Sequence, residues 1–367
     1  MKVLVFNIAK PKEAAAIFAY GVAYGLKKNG VEVYAFMQEN VQNRKDWDVL
    51  LDQKHIYYTS LNNDKESRAK QLFRFFLNEK KQIRKHFDGV VFDAVITTVF
   101  ANWAIFFRNC FKTKARIVVC HDPFPHSGEK KINKLLAKLY YQKCDKLIVL
   151  TKRFVEPASK LYKKRRNDVI AIPHGRMNLY QEIMNIEKKQ PYKPENINFV
   201  FFGRIEKYKG LKVLGEAYKK LSQEYDNITL TVAGNGDFSE FKELYDTLPN
   251  ATLLIRYIED DEVGGLFDGP NVVTVVPYID ATQSGIISVA MEYGTPIIAS
   301  DTGGLREQLN DGKIGVFFET GNCVELKCAM ERFVHEPALF QEQCDLERKY
   351  LHSLNWDVVM AKFLECL

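Results

Sequence analysis

The amino-acid sequence predicts an α/β protein made of two doubly wound domains, and three observations carry that prediction. Short β-branched runs alternate with amphipathic helical stretches, the pattern of parallel sheets built from βαβ units. The chain has 367 residues, too many for one ordinary domain. Residues 184–195, with Lys188, Lys189, Pro191 and Pro194, break the rhythm and read as an interdomain linker. The expected division is therefore a first domain at 1–186, a second at 187–336, and helices at 337–367.

In the first half the apolar runs fall at 3–6, 31–36, 94–97, 117–120, 147–150 and 169–172. Between them lie helical stretches such as 14–28 and 66–87. In the second half the runs fall at 199–202, 228–232, 252–255, 272–276 and 296–299. The tail reads as helices whose apolar face is formed by Tyr350, Leu354, Trp356, Val359 and Phe363. Two such domains facing each other would hold ligands in the cleft, at the carboxyl ends of their strands.

Composition narrows the class. No apolar run reaches the roughly 18 to 20 residues of a membrane-spanning helix. The opening residues read as a strand and not as a signal peptide, so a cytoplasmic location is expected. Seven scattered cysteines (110, 120, 144, 323, 328, 344 and 366) form no CxxC pair and read as reduced thiols. Of the 52 basic and 46 acidic residues, 34 and 17 lie within the first 186, giving that half a net charge of +17. The remainder carries −11. Basic clusters at Lys80-Lys81 with Arg84-Lys85, at Lys130-Lys131 with Lys134 and Lys138, and at residues 163–166 read two ways. They are solvated helix faces, or they attract an anionic membrane surface or acceptor. No nucleic-acid recognition motif accompanies them.

The chemistry-bearing residues follow strand ends. In FVFFGRIEKYKG, Gly203 and Arg204 leave a strand and Lys209 precedes a new helix. Each cation alone reads as a surface residue, yet a guanidinium fork and an ammonium on one loop suit a diphosphate. In VVTVVPYIDATQSGIISVAMEYGTP, Thr282 or Ser284 is placed to cap a helix, and Gly285 lets a ligand approach the backbone. A free helix N-terminus there is an anion site; an ordinary capped helix is the plainer reading. Gly234 lies in the VAGNG turn, and SDTGGLRE follows a further strand. His121 stands just past the strand 117–120 in CHDPFPH, and IPHG follows 169–172.

The order of these pieces resembles the family 4 glycosyltransferases. GRIEKYKG is similar to their Gly-Arg…Lys-Gly donor-phosphate motif, and VAGNG, VVPYIDATQSG and EYGTPIIASDTGGLREQL follow in family order. The resemblance extends over residues 115–319, with the first hundred matching only in rhythm. It implies a GT-B fold: two Rossmann-like domains facing across a cleft, with the C-terminal helices packing back toward the first. It implies retaining, metal-independent transfer of a sugar from a nucleotide-diphosphate donor, with a UDP-sugar preferred and no cofactor.

By position, Arg204 and Lys209 would hold the donor diphosphate, with Gly203 and Gly234 shaping the loops around it. Amides near Ser284, Gly285 and Ile286 would reach the distal phosphate or the sugar. His121 would contact the donor sugar, and Tyr257 and Ile258 would lie near the base.

The pattern also departs from the family. Its two glutamates, eight positions apart, correspond here to Ala281 and Val289. Asp280 or Glu292 would substitute, or Thr282, Gln283 and main chain would take over those contacts. The expected partners are the donor, a glycan or polyprenyl-linked acceptor, and an anionic membrane surface at the inner face, with no nucleic acid. The rival readings are a degenerate protein that binds nucleotide sugar or a partner without transfer, and a sugar-nucleotide epimerase.

Overall fold

A computed structural model describes residues 1–8, 14–41, 43–63, 66–124, 131–176, 196–259 and 261–366. The expected linker at 184–195 lies outside these residues, as do residues 9–13 of the first loop and Pro125–Lys130 (125–130) of the histidine loop. The chain forms two compact units: residues 1–175 with 354–367, and residues 176–353.

The first unit is a seven-stranded parallel sheet in the order β3-β2-β1-β4-β5-β6-β7. Its strands are β1 (Lys2–Asn7), β2 (Glu32–Gln38), β3 (Ile56–Thr59), β4 (Phe92–Thr97), β5 (Thr113–Cys120), β6 (Lys146–Val149) and β7 (Val169–Ala171). The second unit has six parallel strands in the order β10-β9-β8-β11-β12-β13. These are β8 (Ile197–Phe202), β9 (Ile228–Ala233), β10 (Ala251–Leu254), β11 (Val272–Val276), β12 (Ile297–Ser300) and β13 (Val316–Phe318). In both sheets the strand order reverses once, between β1 and β4 and between β8 and β11. Helices on the two sides of that point cover opposite faces of the sheet, leaving a crevice at the strands' carboxyl ends.

Each anticipated run became a strand, and two strands had no anticipated run. β3 and β13 are edge strands of four and three residues. IYYT and VFF are apolar but span only four and three residues, too short a stretch to stand out as a run. The 66–87 stretch is helical over 68–86, with a π-helical turn at Phe75–Glu79 inside it.

The C-terminal helix Trp356–Glu365 packs on the helix Ala14–Lys28 within the first unit. Gly21 and Gly25, one turn apart, make that contact possible. A Cβ at Gly21 would fall 2.0 Å from the Trp356 ring, and one at Gly25 would fall 2.2 Å from its carbonyl oxygen. The preceding helix, Pro337–Ser353, belongs to the second unit, where it packs against helix Gly285–Tyr293.

Candidate active site

In the second unit, four loops leave the carboxyl ends of β8, β9, β11 and β12 and lock together through glycines. The β9 loop meets the β8 loop where Gly234 (φ +148°) lies so close that a Cβ would sit 1.8 Å from the Gly203 oxygen. Ile205 and Gly236 extend the pairing as an isolated parallel bridge. The β8 loop meets the β11 loop at Gly210 (φ +72°), whose Cβ would strike the Pro277 oxygen at 1.7 Å. Nearby, the Ile279 amide donates to the Tyr208 carbonyl at 2.7 Å. The β12 loop closes on the β11 loop through the Gly304 amide, which donates to the Ala281 carbonyl at 3.3 Å. No side chain fits at these contacts, so the backbone itself fixes the crevice.

Tyr278 is the pivot of this crevice. Its ring is buried, and the Lys209 ammonium lies 3.7 Å from the ring centroid, a cation–π contact. At its other end, the Tyr278 hydroxyl accepts a hydrogen bond from Ser284 Oγ at 3.0 Å. Gln308 completes the arrangement, accepting from the Ser284 amide at 3.0 Å and donating to the Ser284 carbonyl at 2.8 Å. Burial pushes the Tyr278 phenol up to about 12, against the opposing pull of the Ser284 hydrogen bond and the Arg204 charge. The hydroxyl therefore stays protonated.

Ser284 occupies the N-cap position of helix Gly285–Tyr293, but its side chain does not cap the helix. Ser284 gives its hydroxyl to Tyr278 instead, so this side chain offers no oxygen to the first amides of the helix. Around Gly285 the space is open. Gly203 (φ +140°) lies beside Ile286, where a Cβ would touch that side chain at 3.6 Å. Arg204 is exposed and makes no ion pair among the described residues. Two cations and a helix N-terminus that Ser284 leaves uncapped thus come together at the reversal of strand order, in a half of the chain that is otherwise acidic.

The remaining candidates sit as follows. Thr282 and Gln283 are half-buried on the β11 loop. Tyr257 is exposed after β10, with its carbonyl accepting from Arg256 at 3.0 Å, and Ile258 is buried. Ala281 is buried and supplies no carboxylate, while Asp280 is exposed. Glu292 has a fully buried side chain held by the Arg176 guanidinium, with contacts at 3.0 and 2.7 Å. Tyr278, Gln308 and Arg176 were missed as site residues by sequence reasoning. The Pro-Tyr pair at a strand end was a usable signal for Tyr278; a partner reached across more than a hundred residues gives none.

In the first unit, His121 follows β5 and its Nε2 faces the Thr98 carbonyl at 2.8 Å. Its ring packs edge-on to Phe18 at 4.9 Å, and Phe18 in turn meets His174 at 5.0 Å and Trp356 at 5.2 Å. Burial lowers the pKa of His121, so its imidazole is neutral near pH 7. With Nε2 as the donor to Thr98, Nδ1 is left as an acceptor.

Among the described residues no group of three or more His, Cys, Asp or Glu side chains could hold a metal ion. Nor is any helix there long and apolar enough to cross a membrane. All seven cysteines are free thiols, with Cys110, Cys120, Cys144 and Cys344 buried.

Comparison with known proteins agrees with this geometry. Residues 182–349 match the family model of the glycosyl transferases group 1. The phosphatidyl-myo-inositol mannosyltransferase of Mycobacterium leprae is 24% identical over 200 residues, 54% of this chain and 53% of that protein. The glycogen synthase of Mycobacterium tuberculosis is 24% identical over 165 residues, 44% of this chain and 39% of that protein. The chain thus spans about half the length of the curated relatives it matches. Among solved structures, Anabaena HepE in complex with UDP and glucose superposes with a TM-score of 0.67 at 16% identity, covering 100% of both chains. The sucrose-phosphate synthase of Thermosynechococcus elongatus gives 0.70 at 16% identity, covering 99% of this chain and 97% of its own. Residues 182–349 are thus similar to the group 1 glycosyl transferases, and the two parallel sheets share the GT-B fold of structures such as HepE and the sucrose-phosphate synthase.

Proposed function

We propose that the chain transfers a hexose-type sugar from a nucleoside-diphosphate donor, with UDP preferred, to a glycan or lipid-linked acceptor, with retention and without a metal ion. The observation that carries this reading is the meeting of Arg204, Lys209 and the N-terminus of helix Gly285–Tyr293, which Ser284 does not cap, at the reversal of strand order. Departure of a nucleoside diphosphate develops negative charge on its oxygens. A guanidinium, an ammonium and helix amides already aimed at that position stabilise it with no reorganisation at the moment of reaction. The preference for uridine is supported by HepE, which is solved with UDP. His121, with its free Nδ1, is the residue proposed to contact the transferred sugar. Synthesis of surface polysaccharide at the inner membrane face is the setting this reading suggests.

A second reading, donor binding without transfer, is favoured by one observation: Ala281 is buried and brings no carboxylate to the crevice. Calorimetric titration with UDP-, GDP- and ADP-sugars, with and without chelator, separates these readings once joined to an assay of donor consumption with acceptors. The expected result is chelator-independent binding of one nucleotide class and turnover. Arg204→Ala and Lys209→Ala should each weaken binding by roughly ten- to a hundred-fold, the value of a charge-assisted hydrogen bond. Near-wild-type affinity in both variants would remove the phosphate assignment. Tight binding with no turnover would leave the non-catalytic reading.

A further inference from the structure

The helix at 68–86 is amphipathic twice over. Its inward stripe is complete: Gln71, Phe75, Glu79 and Ile83 are buried. Gln71 donates to the Asn63 and Glu66 carbonyls, both at 2.8 Å, and Thr59 Oγ1 donates to Glu79. The opposite side nevertheless carries Phe73, Phe76 and Leu77, which are 67%, 60% and 66% exposed. Phe106, from the neighbouring segment, adds its ring 6.4 Å from that of Phe76. These side chains lie outside the core, and a contiguous apolar patch on a soluble unit marks a surface that is covered by something else.

The charge around the patch says what covers it. Over 68–86 there are seven basic residues and one acidic residue, and the acidic one, Glu79, is buried. Lys80 Nζ lies 5.9 Å from the centre of the Phe76 ring, and Lys81, Arg84 and Lys85 are exposed. Protein interfaces deplete lysine in their centres, whereas a helix with Phe and Leu on one face, edged by lysines, suits an anionic bilayer. There the rings enter the boundary between headgroups and acyl chains, and the ammonium groups meet lipid phosphates. We propose that this face docks the first unit onto an anionic lipid surface, with Phe73, Phe76 and Leu77 inserted and Lys80, Lys81 and Arg84 bound to headgroups. The proposal stands apart from sugar transfer, because it requires neither donor nor turnover.

The test is co-sedimentation of the full chain with vesicles of phosphatidylcholine, or of phosphatidylcholine mixed with phosphatidylglycerol, at two salt concentrations. Binding to the mixed vesicles and not to the neutral ones, weakening with salt, is expected. Phe73→Ser, Phe76→Ser and Leu77→Ser together should weaken binding on the order of a hundred-fold. Lys80→Gln, Lys81→Gln and Arg84→Gln together should weaken it comparably. Five of the six positions are exposed and Lys80 is half-buried, and Arg84 gives up only an exposed bond to the Asn109 carbonyl, so thermal unfolding should change little. If the triple serine variant fails to fold, Leu77→Ser alone supplies the comparison, with a several-fold loss expected. The proposal is overturned if the wild-type chain ignores anionic vesicles, or if the serine variants bind as tightly as the wild type. It is equally overturned if the wild type is a dimer that these changes dissolve without any lipid binding, which assigns the patch to a second copy of the chain.

Discussion

Changing Tyr278 to phenylalanine removes one oxygen and tests the pivot of the crevice at the strand ends. The Ser284 hydroxyl, buried and donating to Tyr278 at 3.0 Å, loses its acceptor. An unsatisfied buried hydroxyl costs about 1–3 kcal/mol. Ser284 has one way to recover part of this: it can turn to cap its own helix, worth about 1 kcal/mol, and so occupy an amide otherwise open to an anion. The expected result is a small loss of stability, about 1 kcal/mol, with nucleotide affinity falling several-fold.

Tyr278→Leu goes further, because it removes the ring beneath Lys209. Losing the cation–π contact costs a further 0.5–2 kcal/mol or so, and the partly emptied ring space adds roughly 1–3 kcal/mol. Urea unfolding gives the stability terms and calorimetry with UDP gives the affinity. A double-mutant cycle between Tyr278→Phe and Ser284→Ala isolates the bond, with a coupling of about 1 kcal/mol expected. Additive effects in that cycle, or UDP binding by Tyr278→Leu equal to that of Tyr278→Phe, would refute the pivot.

Arg176→Met should cost about 3–5 kcal/mol of stability in the second unit, because it removes the guanidinium paired with the buried Glu292 carboxylate. Glu292→Gln should lose stability while keeping nucleotide affinity. The opposite pattern, seen by calorimetry and urea unfolding, would return Glu292 to a donor-binding role. His174 gives a pH dependence with a definite sign. Burial, aided by His121, lowers it to about 4 from the ordinary 6.5 or so, so the unfolded chain binds more protons across that window. Stability contributed by neutral His174 is present above pH ~6.5 and is lost on acidification toward pH 4, up to about 3 kcal/mol. His174→Gln should flatten that slope in urea titrations at pH 7, 5.5 and 4, and an unchanged slope would exclude His174 as its source.

Much of this was legible because the signals are local. A buried parallel strand announces itself as a β-branched run, and the turn that follows needs glycine where φ is positive. Glycines at 203, 210 and 234 therefore mark the turns that follow β8 and β9, where φ is positive. The strands at 56–59 and 316–318 stayed hidden, since four and three residues are too few to stand out as a run. The cap at residue 284 was read from propensity, which counts a serine near a helix start as a cap. Tertiary context overrode it by offering the same hydroxyl a buried phenol.

The sequence by itself determined the two-sheet architecture, the order of the glycine-bearing loops and the asymmetry of charge. Each depends on periodicity, glycine chemistry or composition, and all three are properties of neighbouring residues. Only the tertiary structure decided that Tyr278 carries Lys209 and Ser284 together, and that Glu292 is paired with Arg176. It alone exposed Phe73, Phe76 and Leu77 while burying Phe75 between them. Those outcomes depend on which groups meet across long stretches of chain, and pairing of that kind leaves no periodic trace in the sequence.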